Sequence, residues 1–159
     1  MSWNKGLCVV LLLLAGNVWA GSEVLVDKVW LRESVPGQTS ASLQLNLMLT
    51  GSGKLLRVSS PWASSVEIQR LSLRRGKVES RAVSSLRLSR NTTVVFGERG
   101  VALMMLGLKQ PLNVEDHVPV SLTVELPGKR IRVVEAVAEV KPLALSYKHY
   151  SGEEVHDHR

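Results

Sequence analysis

The chain has 159 residues, 45% of them hydrophobic, with 20 Lys+Arg against 14 Asp+Glu and one cysteine. That length suits one domain with a sizeable core and is tight for two. A single cysteine leaves no disulfide framework within the chain, so folding must rest on apolar burial.

Met1–Ala20 has the three parts of a secretory leader: Lys5, an apolar run from Leu7 to Ala15, and a short stretch ending Val18-Trp19-Ala20. The run is shorter than the roughly 20 residues that span a bilayer. Cleavage near Ala20 is expected, giving an exported, periplasmic protein with no transmembrane span. It would leave 139 residues with a formal charge of +5. Cys8 lies inside the leader, too early to be a lipid-accepting cysteine placed after the apolar stretch. The exported chain would then hold no thiolate, which excludes zinc-ribbon, thioredoxin-like and cysteine-hydrolase chemistry.

Beyond the leader the apolar positions repeat every two residues. Val24–Leu31 is the first expected strand, closed by Val35-Pro36-Gly37. The clearest follows, with Ala41, Leu43, Leu45, Leu47 and Leu49 alternating with Ser42, Gln44, Asn46 and Met48. After Gly51-Ser52-Gly53 come Leu55–Ser59, Val66–Leu73, Ser84–Leu88, Thr93–Phe96 and Ala102–Leu106. Leu122, Val124 and Leu126 alternate with Ser121, Thr123 and Glu125, and Leu126-Pro127-Gly128-Lys129 turns into a final strand. There Ile131 and Val133 stand in one phase, Ala136, Ala138 and Val140 in the other, which predicts a bulge near Val134-Glu135.

Eight or nine short strands without a helical stripe predict an all-β, antiparallel sandwich, a pattern that leaves barrel closure open. Leu43, Leu45, Leu47, Leu122, Val124 and Ile131 are expected inside, with Trp30 and Trp62 at the core margin. The expected division is a leader over 1–20, a sandwich domain over 21–141 and a flexible histidine-containing tail over 142–159. Lys148–Arg159 has one aliphatic residue and three of the four histidines.

Catalytic signals are sparse. No Gly-x-Ser-x-Gly elbow is present, and a hydrolase would need His117 as its base. A turn histidine at a strand start is the simpler account. The basic residues are uneven: Arg70, Arg74, Arg75, Lys77, Arg81, Arg87 and Arg90 meet only Glu67 and Glu79 between them. No aromatic interleaves this Arg70–Arg90 segment, which argues against nucleic acid. It reads as a solvated sheet edge or as a docking patch for an acidic periplasmic or membrane-associated protein, or for anionic lipid. Met104-Met105 supplies soft sulfur of the kind that selects copper(I), but neighbours on a strand point to opposite faces.

Three blocks resemble the periplasmic copper(I) chaperones called PCu(A)C. They are Val29–Arg32 with Pro36-Gly37, then Ser60-Pro61-Trp62-Ala63 leading into Val66-Glu67-Ile68, and Met104–Leu112. The resemblance implies a cupredoxin-like Greek-key sandwich and one copper(I) bound by two histidines and two methionines. The family's ligand positions fall on Gln69, Ser80, Ala102 and Met104, separated by ten, twenty-one and one residues. Only Met104 matches. An amide, a hydroxyl and a methyl group replace the other ligands, and one thioether is not a tight copper(I) site.

The expected function is therefore that of an exported non-enzymatic member of this copper-chaperone family with a degenerate site, acting as an interaction module or accessory in copper handling. An alternative keeps copper by combining Met104 with His149, His156 and His158 of the tail. The tail imidazoles, with Glu153, Glu154 and Asp157, also suit a weak divalent-metal site.

Overall fold

The computed structural model describes residues 23–143 apart from Glu98. The expected leader and the tail histidines lie outside the described residues. Ten strands follow in order: β1 (Val24–Arg32), β2 (Ser40–Leu49), β3 (Gly53–Ser59), β4 (Ala63–Arg74), β5 (Lys77–Val83), β6 (Leu86–Leu88), β7 (Val94–Phe96), β8 (Val101–Leu108), β9 (His117–Leu126) and β10 (Arg130–Lys141).

They form one sheet in the order β5-β4-β8-β2-β1-β10-β9-β3-β6, and β7 adds to β2. A further pairing, Val58 of β3 with Val66 of β4, joins the two sides. Seven strands, β4-β8-β2-β1-β10-β9-β3, thus close on themselves as a barrel-like sandwich, and β5, β6 and β7 are additions. β1 and β10 pair in parallel through Trp30–Arg32 and Glu139–Lys141, whereas the other ladders are antiparallel. The antiparallel arrangement expected from the sequence holds in the other ladders and departs at this seam, where the first and last strands meet.

Alternation builds the core. Ala41, Leu43, Leu45, Leu47 and Leu49 of β2 are buried, as are Val118, Val120, Leu122, Val124 and Leu126 of β9. Leu31, Leu55, Val58, Ile68, Leu88, Phe96, Leu103 and Met105 belong to the same cluster. The polar residues between them face outward, which is the half-buried sheet that a period of two predicts. Trp62 packs against the cluster, and Trp30 is half-buried on the outer face with Arg32 Cζ 5.5 Å and Lys141 Nζ 5.0 Å from its ring centroid.

Two expectations about β10 are overturned. Its register with β9 runs unbroken from Arg130–Leu126 to Glu139–His117, so there is no bulge at Val134-Glu135. Directly paired residues share a face. Val134 pairs with the buried Leu122, which turns the even-numbered residues of β10 inward. Ile131, opposite Glu125, faces solvent at 56% exposure and is not a core residue. The register shifts lie elsewhere, between Asp27 and Trp30 in β1 and between Leu55 and Arg57 in β3. The second lets Leu55 and Val58, three apart, both point inward.

The sequence also gave no sign of β5. All of Lys77–Ala82 is exposed, so no apolar alternation marks it. It exists because Arg75 and Gly76, with φ of 50° and 75°, reverse the chain in two residues and lay it along β4. Two successive positive φ angles define the hairpin turn whose twist matches the strands, and glycine takes the second without cost. Among the described residues no helix is long and apolar enough to cross a membrane.

Candidate functional site

β4, β8 and β2 lie side by side, and their outward residues form one continuous face. Gln69 of β4 pairs directly with Ala102 of β8, and Glu67 with Met104. Across β8, Met104 pairs with Ser42 of β2. On the other flank Gln69 pairs with Ala82 of β5, and Leu71 with Ser80. Direct pairs share a face, so Gln69, Ser80, Ala102 and Met104 stand together on this outer surface. The fold sets the four positions that the resemblance singled out on one face, with Gln69 and Ala102 directly paired and Ser80 and Met104 at either end.

The chemistry at those positions is not that of a copper(I) centre. The Gln69 side-chain amide donates through Nε2 to Glu67 Oε2 at 3.1 Å. Gln44 Nε2 likewise donates to Ser42 Oγ at 3.0 Å on the other side of Met104. Ala102, 4% exposed, presents a methyl group. Met104 is half-buried on this face while Met105 is fully buried in the core, so the two adjacent sulfurs do diverge. One soft thioether between two hydrogen-bonded amide pairs is a poor match for copper(I). Among the described residues no three His, Cys, Asp or Glu side chains group as a metal site.

His117 is exposed at the first residue of β9, paired across the ladder with Glu139. Among the described residues no serine hydroxyl hydrogen-bonds to it, and no nucleophile–base pair is formed there. His149, His156 and His158 lie outside the described residues.

The basic segment is divided by the fold. Arg70, Arg74, Arg75, Lys77 and Arg81 cluster on the β4–β5 hairpin, whereas Arg87 pairs with Lys54 on β3. Arg87 there lines a separate cavity with Lys54, Glu125 and Lys129. What the sequence missed was the hairpin's two-sidedness, because β5 has no burial pattern of its own.

Residues 24–134 match the family model described as "Putative lipoprotein LpqE-like". The chain belongs to the LpqE-like family. No curated protein matches it. Among solved structures, this LpqE-like barrel is similar to the apo PCuAC domain from PmoF1, at 18% identity and TM-score 0.56 over 74% of this chain and 94% of that one. The copper-bound PCuAC domain from PmoF2 gives 16% and 0.57 over 77% and 97%. The CuI-DR1885 solution structure from Deinococcus radiodurans gives 19% and 0.57 over 80% and 83%. At these identities the likeness shows the fold: an all-β, cupredoxin-like PCuAC barrel-sandwich with extra strands, lacking an assembled metal cluster among its described residues.

Proposed function

We propose that this LpqE-like protein is an exported, non-enzymatic interaction module on a PCuAC-like barrel whose inherited copper(I) site is lost. The observation that carries the reading is the Gln69–Ala102 pair, with the Gln69 amide hydrogen-bonded to Glu67 where the resemblance calls for a histidine ligand. Two of the similar structures are named as copper-bound. They support an accessory role near copper handling without supplying the missing ligands. The family description names a lipoprotein, yet the one cysteine, Cys8, precedes most of the leader's apolar run.

The test is competition for copper(I) against a specific chelator, using the protein from residue 21 onward. No withdrawal of copper at submicromolar affinity is expected. Tight binding lost in Met104→Ala would overturn the reading and favour the alternative in which Met104 acts with the tail histidines.

A further inference from the structure

We propose that the β4–β5 hairpin is a membrane-docking element that binds anionic phospholipid bilayers. This rests on the interaction-module reading and names its partner. Pairing of β4 with β8 ends at Arg70–Val101, and a last backbone hydrogen bond runs from Leu71 N–H to Gly100 O at 2.8 Å, so Ser72–Arg74 and Lys77–Glu79 pair only with each other. At about 3.3 Å per residue the hairpin overhangs the barrel by about 10 Å.

Its two faces differ. Arg70 opposite Arg81, Ser72 opposite Glu79 and Arg74 opposite Lys77 occupy one. Leu71 opposite Ser80 and Leu73 opposite Val78 occupy the other. Between Arg70 and Arg81 five cations meet one carboxylate, Glu79, which lies 3.7 Å from Arg74 in an exposed pair. Charges on an edge strand guard against unwanted strand pairing, which accounts for some of this. They do not account for Leu73 and Val78, exposed at 72% and 67% as a direct pair beside the turn.

An aliphatic pair on one face of the tip, with cations on the other face and in the turn, suits the bilayer interface. Leu73 and Val78 enter the acyl boundary while Arg74, Arg75 and Lys77 reach the headgroups with their long stems. Behind them, Arg70 and Arg81 line a groove of about 500 Å³ with Ser84 and Ser85 on its wall. Two guanidinium groups directly opposite one another repel. A lipid phosphate lying in that groove would relieve the repulsion and accept hydrogen bonds from both. An acidic protein would answer the charge but offers no reason for the aliphatic tip.

The experiment is co-sedimentation of the protein from residue 21 onward with phosphatidylcholine vesicles, with and without phosphatidylglycerol, at two salt concentrations. Binding is expected only with phosphatidylglycerol and should weaken with salt. Arg70→Gln with Arg81→Gln should lower the partition coefficient about fivefold per cation removed. Leu73→Asn with Val78→Asn should weaken binding at unchanged melting temperature, since both side chains are exposed in the folded state. A dye on Val78→Cys should shift to the blue on binding. Equal binding to neutral vesicles, absence of binding at low salt, or indifference to both double variants would each overturn the assignment. So would capture by polyglutamate with no capture by vesicles, which would point to an acidic protein. No copper enters this assay, so failure here with copper(I) still unbound would refute the hairpin assignment and leave the module reading standing.

Discussion

Gln69 lies directly opposite Ala102 across the β4–β8 ladder, and its amide nitrogen is held by Glu67 Oε2 at 3.1 Å. The pair occupies the middle of an outer face that also carries Ser80 and Met104. The side chains at this pair make a hydrogen-bonded polar surface.

Restoring the ligands should therefore restore metal. Gln69→His, Ser80→Met and Ala102→His together should convert absent copper(I) binding into stoichiometric binding, because imidazole and thioether donors would then share one face with Met104. Ala102→His is the demanding change, since that position is 4% exposed. Chelator competition with the triple variant and with each single variant checks this. A folded triple variant that leaves copper with the chelator would show that the framework itself is altered.

Core and surface strands should respond differently to truncation. Leu45→Ala, at a residue 1% exposed, should cost about 2–5 kcal/mol in urea unfolding. Ile131→Ala, at 56% exposure, should stay within about 0.5 kcal/mol of the parent. A large loss at Ile131 would mean that β10 turns its odd-numbered residues inward.

Gly53 is held by contact. A Cβ there would overlap the Glu125 carbonyl oxygen on β9 and approach Leu49 Cδ1 to 2.8 Å. Gly53→Ala should lower the urea midpoint by the equivalent of about 1–3 kcal/mol, as overpacking does. An unchanged midpoint would show that β3 and β9 can separate there at no cost.

The histidine-rich terminus carries a separate metal prediction. Copper(II) or zinc binding should be abolished by removing Lys148–Arg159. It should also weaken as pH falls through about 6.5, where protonated imidazole loses its lone pair. Divalent binding that survives the deletion would place the site within the barrel. Isothermal titration at several pH values reads both effects.

The strand character of β2 and β9 was written in their sequences, because alternation is a local property and one face of each is buried. The opposed directions of Met104 and Met105 follow from the same geometry. That Gln69, Ser80 and Ala102 offer an amide, a hydroxyl and a methyl group was also legible, since residue identity alone sets which donor a position can offer. The face of Ile131 was not: β10 carries aliphatic residues in both phases, and only its register with Leu122 selects the inner set. β5 left no trace because an edge strand outside the core buries nothing, so burial imposes no pattern on it. Barrel closure and the parallel β1–β10 seam depend on residues distant in sequence. Their pairing is decided by which faces must be covered together, and only the tertiary structure holds that information.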